Sequence, residues 1–116
     1  MQSYSIWIGF DPREAAAFAV AKQSIKKWDR YIPIMGLVLD DLRKEGLYTR
    51  PTIAKQSAAD GPVLIDEISR TESYDGAMST QFAISRFLVP HLAQFGMAMF
   101  VDCDVMFRAN PVRLME

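Results

Sequence analysis

Hydrophobic and polar positions along the chain fall into short apolar runs separated by stripes of helical period. Ser5-Ile-Trp-Ile-Gly9 is an apolar run closed by glycine and followed by Phe10-Asp-Pro-Arg-Glu14, which predicts a strand turning into a helix. Asp11 is suited to the N-cap, and Pro12 takes the first helical position, where its missing N–H has no consequence. Glu14, three residues after the cap, completes an Asp version of the capping box. Phe18, Ala21, Ile25 and Trp28 then recur on one face while Lys22, Lys26 and Lys27 lie elsewhere. That is an amphipathic helix laid against a sheet.

Ile32 to Leu39 reads as a second strand, and Asp40-Asp41 begins a short helical turn through Leu42 to Glu45. Between residues 46 and 77 breakers are frequent and only Val63-Leu64-Ile65 is apolar. This predicts about 30 residues of mostly irregular chain, longer than a compact domain carries without a functional reason. Ser79 or Thr80 can cap a helix running through Phe82, Ile84, Phe87, Leu88 and Leu92, with Pro90 kinking it or ending its regular part near Val89. Gly96 then breaks the pattern, and Met97 to Asp102 reads as a fully buried strand. The fold class expected is α/β, a mostly parallel, Rossmann-like sheet flanked by helices. It would form a single domain over residues 1–116, with its ligand site at the C-terminal ends of the strands.

Composition narrows the function classes. The 116 residues are 50% hydrophobic and 23% charged, and 13 Lys+Arg against 14 Asp+Glu give a formal net charge of -1. Such a surface carries no electrostatic footprint for a nucleic acid and no polybasic membrane patch. No stretch approaches the roughly 18 apolar residues of a spanning helix, and Met1 to Ser5 lack the basic start of a secretory signal. One cysteine cannot form an internal disulfide and, with one histidine, cannot build a zinc site. A reducing, cytoplasmic setting is the expectation.

The sharpest chemical feature is Phe100-Val101-Asp102-Cys103-Asp104-Val105. Residues two apart on extended chain point the same way, so Asp102 and Asp104 can converge on one hard divalent cation, which takes oxygen ligands and leaves positions for phosphates. The competing explanation is that either aspartate caps a turn. Arg86 lies about 200° round the helix from Ile84, nearly opposite the apolar stripe. Alone it reads as an exposed arginine; lying across the site, its fork would suit a phosphate or sugar hydroxyls. Asp11 is explained by capping, with a ligand role possible at the end of the first strand. His91 reads as partly buried and hydrogen-bonded, with no partner at metal-ligand spacing. Cys103 reads as a small hydrophobe packed on the opposite side, its thiol discouraged from ionising by the flanking carboxylates. Met97, Met99, Met106 and Met115 read as core fillers. The glycine patterns of a dinucleotide-binding turn and of a phosphate-cradling P-loop are absent from the sequence.

Three segments in order, Ile8-Gly-Phe-Asp-Pro-Arg-Glu14, Ser79-Thr-Gln-Phe-Ala-Ile-Ser-Arg-Phe-Leu-Val-Pro90 and Phe100-Val-Asp-Cys-Asp-Val105, resemble the N-terminal half of GT-A-fold glycosyltransferases, family-8-like phage and bacterial transferases above all. The middle, Leu47 to Ala77, matches least. The resemblance implies that Asp11 and Arg86 contact a nucleotide-diphosphate sugar, of UDP type. It further implies that Asp102 and Asp104 hold Mn²⁺, or Mg²⁺, against the diphosphate. Members of that family continue past the Asp-x-Asp into a further metal ligand and an acceptor pocket, so the chain is expected to be an incomplete GT-A domain, its nucleotide-sugar-binding half. His91, upstream of the motif, does not match the further ligand.

Two other readings compete. A truncated, non-catalytic fragment would associate with itself, forming a homo-oligomer through an open sheet edge. A haloacid-dehalogenase-like phosphatase would use Asp102 as nucleophile and Asp104 as general acid, but it wants Thr or Val where this chain has Met106, and wants its motif near the N-terminus.

Overall fold

Strand β1, Tyr4–Gly9, is the organising element of the computed structural model, which describes residues 3–55, 62–67 and 80–116. Its alternation is functional in packing terms: Ile6 and Ile8 are fully buried, while Ser5 and Trp7 share the other face and are joined by a hydrogen bond from Trp7 Nε1 to Ser5 Oγ (3.1 Å). On one side β1 pairs in parallel with β2 (Ile34–Leu37), Ile6 opposite Ile34 and Gly9 opposite Leu37. On the other it pairs in parallel with β5 (Met97–Val101), Tyr4 opposite Met97 and Ile8 opposite Val101. The three-stranded sheet therefore runs β2-β1-β5.

Helix α1, Ala15–Trp28, crosses between β1 and β2. The expected stripe is present in part. Ala21 and Ile25 are fully buried and Phe18 packs against the core, but Trp28 is 42% exposed and donates from Nε1 to the Phe107 carbonyl (3.1 Å). Leu37, Leu39 and Leu42, the last two on α2 (Leu39–Lys44), complete the same core. An α/β arrangement with a parallel sheet is thus observed, and no helix among the described residues is long and apolar enough to cross a membrane.

The structure departs from the expectations in several places. The stretch expected to be irregular contains an antiparallel hairpin, β3 (Thr52–Lys55) with β4 (Val63–Asp66), Ile53 opposite Ile65. The predicted helix from Thr80 to Leu92 is instead a run of turns over 81–84, a 3₁₀ segment Ser85–Leu88 and a short α-helix α3, Val89–Ala93. Pro90 stands in the first turn of α3, where no intrahelical N–H is missed, so it opens the α-helix rather than ending one. Ser79, the other expected cap, lies outside the described residues.

The strand expected at 97–102 stops at Val101 and is only partly buried, with Met97 42% exposed, because among the described residues β5 has a neighbour on one side only. Of the methionines expected in the core, Met115, on the short helix α4 (Val112–Met115), is buried and Met99 packs against the core; Met97 and Met106 are exposed. His91, expected to be partly buried, is exposed.

Candidate functional site

The C-terminal ends of β1 and β5 lie side by side, since Ile8 and Val101 are register partners. Each is followed by an aspartate-bearing segment, and the two segments have opposite fates.

After β1, Asp11 is fully buried. Its extended backbone places the carboxylate over the start of the 3₁₀ turn Pro12–Glu14, where Oδ1 accepts from the Arg13 backbone N–H (3.0 Å). The guanidinium of Arg13 closes on the same carboxylate from Nε (3.0 Å) and Nη2 (2.7 Å), and the backbone N–H of Gln81 adds a fourth bond (3.2 Å). Burial alone would push this carboxyl up, but the bonds from Arg13 and Gln81 outweigh it and hold the group below the usual carboxylate range. Capping was legible in the sequence; the long-range bond to Gln81 was not. Glu14 does not close a capping box. Its carboxylate instead accepts a hydrogen bond from Cys103 Sγ (3.0 Å).

After β5 the chain turns at Cys103-Asp104. Asp102 and Asp104 are therefore not carried together on extended chain, as their spacing predicted, yet both line one cavity of about 260 Å³ together with Glu14, Thr80, Phe82, Ala83, Arg86 and Cys103. Both aspartates are exposed. Cys103, between them, is 2% exposed. Burial, then its bond to Glu14, pushes its thiol up to about 12, so it serves as a protonated hydrogen-bond donor pinning the turn to the start of α1.

Arg86 sits in the 3₁₀ segment, half-buried. Its guanidinium carbon is 5.3 Å from the centroid of the Phe100 ring, and its Nε donates to the Ala83 carbonyl (3.1 Å). Cation–π contact and hydrogen bond together fix the guanidinium on the wall of the cavity that the two aspartates also line. An arginine that alone reads as solvent-facing is thus brought into the Asp102–Asp104 cavity by the turns that replace the expected helix.

Among the described residues no group of three or more His, Cys, Asp and Glu side chains could hold a metal. Asp102 and Asp104 carry the kind of oxygen donor that a hard divalent cation takes, while Glu14, on the same cavity wall, is already engaged by Cys103.

Sequence reasoning missed a second acidic centre. Asp66 ends β4 and is 1% exposed; it receives a two-pronged contact from Arg50 (Nε to Oδ2 2.6 Å, Nη2 to Oδ1 3.0 Å) and a hydrogen bond from the Tyr48 hydroxyl. Burial would raise its carboxyl, but the bonds from Arg50 and Tyr48 prevail and lower it; burial and the bond to Asp66 push the Tyr48 phenol up. The available signal was Val63-Leu-Ile-Asp66, the same apolar-run-then-aspartate pattern as Phe100-Val-Asp102. This clasp ties the hairpin to the chain after α2, and Gln81, through Nε2 to the Leu64 carbonyl (2.8 Å), ties it to the Asp11 segment. Between hairpin and sheet lies a cleft of about 380 Å³ bordered by Phe10, Leu39, Val63 and Gln81. A wider concavity, about 640 Å³, runs along α1 past Trp28 and Phe107 and is lined by no carboxylate.

Fold and site together define an α/β protein with a parallel sheet and an acidic cavity at its strand C-termini. Compared with known proteins, the chain is 38% identical over 109 residues to Protein CDI of Arabidopsis thaliana, the match covering 92% of this chain and 34% of that protein. The chain thus spans about a third of the length of the curated relative it matches. No protein-family model and no solved structure matches it.

Proposed function

We propose that this chain is the nucleotide-sugar-binding part of a GT-A-type glycosyltransferase that moves a glycosyl group from a nucleoside-diphosphate sugar, of UDP type, to an acceptor. The observation that carries the reading is the convergence of Arg86, Asp102 and Asp104 on one cavity at the C-terminal ends of adjacent parallel strands. That is where open α/β sheets take their ligands. Asp102 and Asp104 would hold Mn²⁺ or Mg²⁺, and such an ion supplies Lewis-acid stabilisation of the charge that develops on a departing diphosphate. Arg86, its guanidinium over the Phe100 ring, adds a positive charge on the wall of the same cavity. Asp11 acts in this scheme through the backbone it caps, since its buried carboxylate is already committed to Arg13 and Gln81.

Calorimetry tests the proposal. UDP should bind more tightly with Mn²⁺ than without, and Asp102→Asn or Asp104→Asn should remove the metal-dependent part. Identical UDP binding with and without the ion would overturn it.

A second property has its own observation. Among the described residues β5 is paired only with β1, and Met97 on it and Phe95 beside it are 42% and 82% exposed. Such an apolar edge favours self-association, which sedimentation over a concentration series would show as a rising mass. A constant monomer mass would remove this second reading and leave the first untouched.

A further inference from the structure

Thr80 lines the cavity of Arg86, Asp102 and Asp104, and its Oγ1 is buried without a hydrogen-bond partner. No other buried side-chain nitrogen or oxygen among the described residues stands so. The contrast with its surroundings is sharp. The next residue, Gln81, uses both its backbone N–H and its carboxamide, and the fully buried Ser85 hydroxyl reaches the Gln81 carbonyl (3.5 Å). Nor does Thr80 cap a helix, because residues 81–84 form turns and the 3₁₀ segment begins only at Ser85.

A hydroxyl can donate one hydrogen bond and accept others, and proteins rarely bury one with none. Burying it beside a cavity is sensible when the partner arrives with a ligand. The chemistry of that ligand follows from the other side chains. Asp102 and Asp104 accept only, or bind a cation; Arg86 donates only. Phe82 and Ala83 are apolar. Once the two carboxylates are assigned to the cation and the Cys103 thiol to Glu14, the side-chain donors left among the residues that line the cavity are Arg86 and Thr80.

We infer that Thr80 is a ligand-binding residue whose hydroxyl donates to a phosphate oxygen of the nucleoside diphosphate, on the same group as Arg86. This rests on the nucleotide-sugar reading above and adds to it a residue to which the resemblance gives no role.

The test uses the whole chain with Thr80→Val, which keeps the shape and removes the hydroxyl, and Thr80→Ser, which keeps the hydroxyl. Thermal unfolding of the ligand-free proteins and calorimetry with UDP and with inorganic pyrophosphate, each in the presence of Mn²⁺, are the readouts. The valine variant should melt at or above the wild-type temperature, since it replaces an unpaired buried hydroxyl. It should bind both probes roughly tenfold or more weakly, with the serine variant within about threefold of wild type, as expected for a hydrogen bond to a charged group.

A valine variant that melts lower would mean that the hydroxyl has its partner within the protein, and overturns the inference. Equal binding by the valine variant, with binding lost in Asp102→Asn, overturns the role of Thr80 and leaves the nucleotide reading standing. Weakened binding of UDP but not of pyrophosphate overturns the assignment to phosphate. A wild-type chain that binds neither probe overturns the nucleotide reading itself, and this inference with it.

Discussion

Asp66 and Asp102 are the same sentence in the sequence, an apolar run ending in aspartate at the close of a β-strand, and opposite statements in the structure. Asp66 is buried under Tyr48 and Arg50, both carboxylate oxygens occupied. Asp102 is exposed, faces a cavity with Asp104, and among the described residues takes part in no ion pair. Asp11 after β1 sides with Asp66, its arginine being Arg13. The difference teaches that a carboxylate at a strand end becomes structural when the chain brings a cation to it, and remains available to an outside ligand when it does not.

Asp66→Ala should break this comparison most forcefully. It would leave the Tyr48 hydroxyl buried without its acceptor and should lower unfolding free energy by about 3 kcal/mol, read by urea denaturation. Stability within error of wild type would mean that the clasp does not hold the hairpin.

Acid sharpens the same point. Asp66 and Asp11 both have carboxyls held below the ordinary aspartate value of 3.8 in the folded protein. The folded state then favours the ionised form, so their stabilisation is fully present above the unfolded value of 3.8 and is lost as pH falls through the lower folded values. Stability of the wild type should drop in that acid window, and Asp66→Asn should flatten the drop. An equal acid slope in the variant would locate the effect elsewhere.

Gly9→Ala attacks the junction between the two regions. A Cβ at Gly9 would stand 2.5 Å from Phe82 Cγ, a buried ring on the wall of the Asp102 cavity. Moving that ring should lower stability by about 2 kcal/mol and should also weaken Mn²⁺-dependent UDP binding. A tolerant variant would show that Phe82 can yield.

Cys103 supplies a smaller effect. With its thiol pushed up to about 12 and buried, it should react with a disulfide reagent at neutral pH only as fast as the protein unfolds. Rapid labelling of the folded chain would show that the Asp102–Asp104 turn opens on its own.

Smallest in stability is the substitution most damaging to the proposed function. Asp102→Asn and Asp104→Asn should change unfolding free energy by less than about 0.5 kcal/mol, as exposed carboxylates without an internal partner. A loss comparable to that of Asp66→Ala would place them in the structural class.

Much of the fold could be read from local pattern. Ile6 and Ile8 bury themselves by strand alternation, Ala21 and Ile25 by helical period, and Asp11-Pro12 marks the helix entry; each signal lies within a few residues of what it determines. The helix expected from Thr80 failed because its apolar residues suit a helix only if one side faces a continuous core. Phe87, assigned to the stripe, is 75% exposed, and Pro90 is better placed at the start of a helix than inside one. Hairpin β3–β4 escaped notice because its support comes from Tyr48, Arg50 and Gln81, 16 or more residues away from their partners in the chain.

The sequence by itself determined the parallel strand–helix–strand opening, the placement of Asp102 and Asp104 behind a strand, and the even charge. All of these follow from composition or from the fixed geometry of neighbouring residues. Tertiary structure alone decided which aspartates are spent on arginines, that Arg86 joins the cavity over Phe100, that Glu14 turns to Cys103, and that Thr80 is left with a buried hydroxyl. Those outcomes depend on contacts between segments distant in the chain, and a local pattern carries no record of which partner arrives first.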